Sequence, residues 1–159
     1  MPEWGYSITN LDPAKTVKSA GRELRVSHKA AREVCTAIKG KTLNQAKTYL
    51  NNVINKKQPV PFRRYKKKLG HRHGTEQGTF AARYPIKTAQ KIRQILEGAE
   101  ANAEFKGLDI DRLHIIHASA YPGMKLKRFQ PRAFGRSSPK VQTLTHIELV
   151  LEETEETTQ

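Results

Sequence analysis

The sequence contains one cysteine, Cys35, and no continuous apolar run that approaches the roughly 20 residues needed to cross a bilayer. A single cysteine cannot form an internal disulfide, so the cysteine content does not indicate an oxidising compartment. The first ten residues, MPEWGYSITN, also lack the basic and then apolar pattern of a secretory leader. We therefore expect a chain that is not secreted and has no membrane partner.

Acidic residues are scarce, and two long segments contain none. The 159 residues include 15 Asp and Glu against 29 Lys and Arg, which leaves a net charge of +14. Segments 34–75 and 112–147 have no carboxylate, whereas segment 148–156 has five glutamates. A surface charged only for solubility would mix the two signs. Segments cleared of carboxylates instead indicate surfaces for a polyanion, and nucleic acid is the leading class of partner.

Apolar residues make up 36% of the sequence, which is enough for one lean core. A chain of this length fits a single domain. We predict one domain over 1–159, with a globular body over about 5–113 and 141–151. A basic insertion over about 57–84 interrupts the body, and a disordered acidic tail follows over about 152–159.

Three segments show apolar residues at helical spacing. The first follows Ser27, a plausible N-cap, and ends before Gly40, which is placed for a left-handed C-terminal cap. The second begins after Thr42. The third is predicted to begin at Pro85 and to end near Lys106.

Strand patterns occupy the two ends of the chain. Alternation around Tyr6 and Ile8 predicts a short strand over 5–11. The C-terminal third predicts two strands, one at Leu113 and Ile115 and one over 141–151. The basic connector between them predicts a protruding hairpin over about 113–147, with its tip at about 124–137. A two-stranded ribbon is marginal in water, so we expect RNA to support it.

The candidate RNA-binding residues are cations that neutralise phosphates and phenylalanines that stack on unpaired bases. Phe129 and Phe134 stand among the hairpin's cations, although they could instead cover the hairpin's own strands. Phe62 and Tyr65 interleave with cations in the insertion, which could equally be a flexible loop without fixed contacts. The predicted set is Lys125, Lys127, Arg128, Phe129, Arg132, Phe134, Arg136 and Lys140 in the hairpin, with Lys56, Lys57, Arg63, Arg64, Lys66, Lys67, Lys68 and Arg72 in or beside the insertion.

Catalytic and metal signatures are weak. His71 and His73 form a metal-like pair, but no second Cys or His pair follows at zinc spacing. Cys35 lies on the apolar side of the first helix, and His117 has no carboxylate near it in sequence. Phosphate-loop, nucleophile-elbow and zinc-protease motifs are absent from the sequence. We therefore predict no enzyme, no catalytic residue, no metal and no cofactor.

The C-terminal residues form part of a longer pattern. Lys127 is followed by Arg132-Ala133-Phe134-Gly135-Arg136 and, after nine residues, by His146-Ile147-x-Leu149-x-Leu151. This pattern resembles the signature of the universal large-subunit ribosomal protein twenty-two family. Three upstream segments resemble further motifs of that family, namely Ser27–Arg32, Gly40–Ala46 and Ala99–Glu104.

The resemblance covers about residues 5–151 and implies a fold. The fold is α+β, with three helices packed on a small antiparallel β-sheet and a long protruding β-hairpin. The insertion resembles that of archaeal and eukaryotic-type members. Carried over by position, the implied contacts between hairpin and RNA are Lys125, Lys127, Arg128, Arg132 and Arg136.

The resemblance also implies a role. It is that of a structural constituent of the large ribosomal subunit, which binds ribosomal RNA, supports subunit assembly and lines the nascent-peptide exit tunnel with its hairpin. The implied partners are large-subunit ribosomal RNA, neighbouring ribosomal proteins and the nascent peptide near the hairpin tip. The implied location is the cytoplasm, in the ribosome.

Two alternatives remain open from the sequence. A free-standing RNA chaperone, or a subunit of an RNA-modification complex, could use the same basic surface. It would bind many RNAs with similar affinity and leave the ribosome at moderate salt. A metal-dependent nuclease using His71, His73 and His117 would lose its activity to a chelator.

Overall fold

The computed structural model describes residues 5–75 and 79–154. Three helices pack on a small antiparallel sheet from which a long hairpin extends, as the resemblance implies. The elements in chain order are β1 (Thr16–Leu24), α1 (His28–Ile38), α2 (Leu43–Ile54), β2 (Val60–Pro61), β3 (Ala82–Arg83), α3 (Ile86–Lys106), a single 3-10 turn (Ile110–Arg112), β4 (Leu113–Pro131) and β5 (Ser137–Glu153).

The main sheet has the order β1-β5-β4, so the last strand of the described chain is the central one. Strand β5 pairs with β1 from Thr16 opposite Glu152, and with β4 from Leu113 opposite Glu153. Alternate β5 residues Ile147, Leu149 and Leu151 are fully buried, because this face packs against the helices.

The three helices predicted from the sequence are confirmed. Thr42 caps α2 reciprocally with Gln45, each side chain accepting from the other residue's backbone N–H. Helix α3 ends at Lys106. Its C-cap, Gly107, has a left-handed backbone, and the Gly107 N–H donates to the carbonyl oxygens of Ala103 and Glu104. Pro85 is the residue before α3 and not its first residue. Each helix buries one side in a single shared core.

Two predictions about strands need correction. Residues 5–11 form no strand, and Ser7 donates to Glu148 on the sheet face away from the helices. The actual first strand, β1, was missed because Lys18 and Arg22 obscure its pattern. Strand β5 continues to Glu153, so residues 152 and 153 of the expected tail belong to the sheet, and residues 155–159 lie outside the described residues.

The hairpin leaves the body where the strand register shifts between Pro122 and Lys125. Here Gly123 lies against the ring of His146, and a Cβ at Gly123 would come within 2.6 Å of Nε2 of that ring. The ring is held in place, since its Nδ1 accepts from the N–H of Glu23 at 3.2 Å. No residue between 122 and 143 is buried, and we call this segment the arm. The two ends of the predicted 113–147 hairpin, residues 113–121 and 144–147, belong to the body.

Among the described residues, no helix is both long enough and apolar enough to span a membrane.

Candidate nucleic-acid interface

The arm presents its cations on both faces. Successive residues of a strand point to opposite faces of the sheet. Lys125 and Lys127 therefore lie on one face of the arm, and Arg128 lies on the other. Lys140 is directly opposite Arg128 in the antiparallel register. Directly opposed residues lie on the same face with Cβ atoms about 5 Å apart, so these two positive charges repel each other.

No carboxylate within the arm offsets this repulsion, because segment 112–147 contains none. Within the described residues, no arm cation forms an ion pair with a carboxylate from elsewhere in the chain. A like-charge pair destabilises a hairpin unless an anion lies between the two charges. The arrangement therefore suits a phosphate.

The arm ends in a tight turn over residues 132–136. Arg132 N donates to Arg136 O at 2.8 Å, and Phe134 and Gly135 both have positive φ values, 57° and 66°. Glycine adopts this backbone readily, but phenylalanine does so at a cost of roughly 1–2 kcal/mol. The side chain of Arg132 is oriented by a bond from its Nε to Ser138 Oγ.

The two arm phenylalanines project into solvent. Phe129 is 73% exposed and Phe134 is 96% exposed, so neither covers the arm's own strands to any large extent. An exposed aromatic ring among cations is the arrangement used to stack on unpaired bases. The turn holds Phe134 outward in spite of its unfavourable backbone conformation.

The insertion is attached to the body through a buried carboxylate. Glu33 on α1 is 3% exposed and accepts three backbone N–H groups, all at 3.0 Å, from Arg63, Arg64 and Tyr65. Strands β2 and β3 pair beside this turn, and His71 forms an isolated bridge with Ala81. The described part of the insertion is therefore an ordered element built on α1.

Because of this attachment, the aromatic residues Phe62 and Tyr65 pack toward the body, whereas the cations of the insertion face solvent. Phe62 is only 5% exposed and belongs to the core, so the prediction that it stacks among the cations is wrong. Tyr65 packs partly against the core while its ring faces cations. The predicted cations of this region all have exposed side chains, namely Lys56, Lys57, Arg63, Arg64, Lys66, Lys67, Lys68 and Arg72.

The sequence reasoning missed four cations that the fold brings together, three of them outside the insertion and one, Arg83, near its end. Arg25, Lys29, Arg83 and Lys87 line one groove together with insertion residues. They lie outside the two acid-free segments, which is why charge counting did not select them. The available signal was that α1 and α3 each begin without an acidic residue in the first turn.

A polar network on the body contains His117, Glu148 and two serines. Ser7 Oγ donates to Glu148 Oε2 at 3.0 Å, and Ser119 Oγ donates to the Tyr121 hydroxyl at 2.6 Å. His117 Nε2 lies 3.0 Å from both serine oxygens. Because the serine protons are directed at Glu148 and Tyr121, both serine oxygens are acceptors for a hydrogen on Nε2 in the tautomer that carries its hydrogen there. A histidine that donates to a serine does not activate it as a nucleophile.

The same environment lowers the pKa of His117. Partial burial is the main cause and the charge of Lys39 adds to it, while the charge of Glu148 acts in the opposite direction. Strand pairing brings Glu148 next to His117, because Ser119 is opposite Glu148 in the register. Linear distance in the sequence concealed this carboxylate.

The remaining candidates for chemistry are also accounted for by packing. Cys35 is buried on α1, and burial raises the pKa of its thiol to about 12, which disfavours the reactive thiolate. The ring of His71 packs on Phe80 with centroids 4.6 Å apart. Within residues 5–75 and 79–154, no three His, Cys, Asp or Glu side chains form a group that could hold a metal.

Comparison with known proteins gives consistent matches over nearly the whole chain. The model of the family described as ribosomal protein L22p/L17e matches residues 19–152. The large ribosomal subunit protein uL22 of Methanopyrus kandleri is 51% identical over 152 residues, covering 94% of this chain and 96% of that protein. The proteins of the same name from Cenarchaeum symbiosum and Nitrosopumilus maritimus are 48% and 47% identical over 153 residues, covering 96% of this chain and 99% of each.

Proposed function

The chain belongs to the ribosomal protein L22p/L17e family, and from this premise we propose that it is a non-enzymatic constituent of the large ribosomal subunit. It binds ribosomal RNA, contacts neighbouring ribosomal proteins and acts in the cytoplasm as part of the ribosome. Its arm lies along the wall of the nascent-peptide exit tunnel. Its main mechanical role is in subunit assembly.

The observation that carries the proposal is the cation pair on the arm. Arg128 and Lys140 oppose each other across the two strands, in a segment without any carboxylate. Such a pair weakens the free arm and is relieved when a phosphate lies between the two charges. A polyanion is therefore the partner that the arm requires, and RNA binding with release of counterions supplies it.

The turn at the end of the arm supports contact with unpaired bases. Phe134 is almost fully exposed and held in a backbone conformation that disfavours phenylalanine. Stacking against a base contributes about 1–3 kcal/mol. It therefore offsets at least part of the free energy that the left-handed backbone of Phe134 costs. Arg132 and Arg136 on either side take the neighbouring phosphates.

The dimensions of the arm support placement along a tunnel. About twelve residues separate Pro122 from Phe134, which corresponds to roughly 30–40 Å at about 3.3 Å per residue. A two-stranded ribbon of this length is narrow enough to follow a wall along its strands while its end stays accessible. The nascent peptide is the partner near the end of the arm, at Phe134.

The test is a sedimentation profile of a cell lysate, probed for this chain across a series of salt concentrations. We expect the chain to stay with the large subunit at salt concentrations that remove loosely held factors, because a ribosomal constituent is enclosed by folded RNA. A free RNA chaperone would spread through the light fractions and dissociate at modest salt. That second result would overturn the proposal.

The placement in the tunnel has its own measurement. A photoreactive amino acid at Phe134 should crosslink to the nascent chain of a stalled ribosome, and the same group at the exposed Phe105 on α3 serves as the control. Equal crosslinking from both positions would contradict the placement of the arm.

A further inference from the structure

A groove of about 980 Å³ opens where the first turns of α1 and α3 meet the insertion, and we call it the helix-end groove. Its apolar lining includes Val26 and Phe62, which are buried, and Leu69 and Ile86, which are half-buried. Ligand sites in proteins typically measure about 300–1,000 Å³, so the groove is large enough for a bulky ligand with an apolar part.

The charged rim residues are all basic in the described part of the chain. Among residues 5–75 and 79–154, none that lines the groove is acidic, and Glu33 nearby accepts three backbone N–H groups of the insertion. Neither helix has a side-chain cap at its start, so their partial positive charges add to the rim. The cations of the rim all have exposed side chains and are Arg25, Lys29, Arg64, Lys67, Arg83 and Lys87.

Two half-buried tyrosines complete the lining. Lys29 Nζ lies 5.7 Å from the centroid of the Tyr65 ring, and Arg64 Cζ lies 5.9 Å from it. Arg72 Cζ lies 5.8 Å from the centroid of the Tyr84 ring. The groove therefore combines flat aromatic surfaces with nearby positive charge, which is the chemistry that binds a base and its phosphate together.

We propose that the helix-end groove holds an unpaired segment of RNA, an inference that rests on the RNA-binding function proposed above. One or two bases enter the groove against Tyr65, Tyr84 and the apolar lining, and the flanking phosphates lie on the rim. A duplex keeps its bases stacked inside the helix and cannot use the apolar lining. An acidic peptide would satisfy the rim and is a competing outcome of the test.

The experiment uses the full chain and two probes, a fluorescein-labelled hexauridylate with one central 4-thiouridine and a labelled twelve-base-pair RNA duplex. The variant Tyr65→Leu/Tyr84→Leu removes the rings and keeps every charge. We expect it to bind the hexamer at least about tenfold more weakly, with unchanged duplex affinity and salt dependence. Irradiation of the wild-type complex should attach the hexamer to peptides containing Tyr65 or Tyr84. The control is Phe105→Leu, which removes an aromatic ring that is 93% exposed outside the groove.

A second variant tests the rim without altering the packed rings. Arg83→Gln/Lys87→Gln removes two exposed cations and should reduce the log–log salt slope for the hexamer by about 1.4, at about 0.7 per cation. The control Lys91→Gln/Arg93→Gln removes two cations from exposed positions of α3 that do not line the groove. It should leave the slope unchanged.

Three results would overturn the inference. They are equal hexamer affinity in the tyrosine variant and in Phe105→Leu, crosslinks confined to other parts of the chain, or displacement from the groove by a glutamate-rich peptide but not by unlabelled hexamer. If any of these occurs while the chain sediments with the large subunit, the groove inference fails and the proposed function stands. Loss of the chain from the large subunit at modest salt would remove the proposed function itself.

Discussion

The hydrogen bonds of single side chains decide which chemistry the polar network around His117 can perform. His117, Ser7 and Glu148 are residue types that catalyse hydrolysis in other settings, yet the direction of their hydrogen bonds differs here. The Ser7 hydroxyl donates to the carboxylate of Glu148, so its proton is not directed at Nε2 of His117, which lies 3.0 Å away. The network therefore fastens the N-terminal segment to the sheet, which is a structural role.

The lowered pKa of His117 predicts a pH dependence of stability. A histidine whose pKa is lower in the folded state than its ordinary value of 6.5 binds more protons when unfolded. Its contribution is complete above pH 6.5 and decreases as the pH falls toward the lower folded-state value. We expect the melting temperature of the wild type to fall more between pH 7.5 and pH 5.5 than that of His117→Gln. The two chains share every other titratable group, so parallel losses would contradict the assignment.

The opposed cations of the arm, Arg128 and Lys140, predict that one substitution can stabilise the free arm and weaken its binding to RNA. Lys140→Glu converts repulsion of Arg128 into attraction across the strands, so backbone amides of the free arm should exchange more slowly with solvent. Affinity for ribosomal RNA should fall, because the new carboxylate repels the phosphate. Lys140→Gln serves as the control and should show smaller changes in the same directions. Faster exchange in Lys140→Glu would show that the two side chains do not face each other.

At the scale of elements, the insertion depends on one carboxylate that bridges two distant parts of the sequence. Glu33 and Arg63 are thirty residues apart, and no local pattern relates them. The helices and the hairpin could be predicted because spacing, caps and turn residues are local signals. The order of the insertion could not be predicted, because its apolar residues belong to the core of the body and its turn is bonded to α1.

We expect Glu33→Gln to loosen the insertion selectively. The amide can accept with only one oxygen, and its NH₂ group then faces a backbone N–H donor. Bonds to charged groups contribute about 1.5–3 kcal/mol, so local stability should fall by about 2 kcal/mol. Limited trypsin digestion should then cut the basic insertion sooner than the helices.

The matched control is Glu97→Gln on the exposed side of α3. Glu97 forms an ion pair with Arg93 there, and the two side chains are 48% and 44% exposed. An exposed pair of this kind contributes about 0.5 kcal/mol or less. Equal trypsin sensitivity in the two variants would show that Glu33 does not hold the insertion.

At the scale of the whole molecule, the body and the arm have separate tasks. The core joins all three helices to the sheet, and every residue from 122 to 143 lies outside it. The sequence predicted a body with a protruding hairpin, but the predicted hairpin over 113–147 includes residues at both of its ends that are buried in the body. It did not predict the helix-end groove, whose lining comes from three separate segments that only the folded chain brings together.

This division predicts the effect of reversing charges at the end of the arm. In Arg132→Glu/Arg136→Glu the core is unchanged, so the melting temperature of the free protein should stay within about 1–2 °C of the wild type, since surface substitutions are usually worth less than about 0.5 kcal/mol. Incorporation into the large subunit, measured by sedimentation, should be strongly reduced. The charge-matched control Lys91→Glu/Arg93→Glu lies on the body and should incorporate more fully. A large fall in melting temperature in the arm variant would instead assign the two arginines to the core.

The central position of β5 has a consequence for how the protein is made. Strands β1 and β4 do not pair with each other and both pair with β5, which follows them in the chain and is therefore synthesised after both. Until that strand has emerged, the chain can form helices but neither the sheet nor the arm. A product truncated before β5 therefore lacks both the three-stranded sheet and the arm. The order of the strands thus couples completion of the sheet and of the arm to the translation of β5, which ends at residue 153.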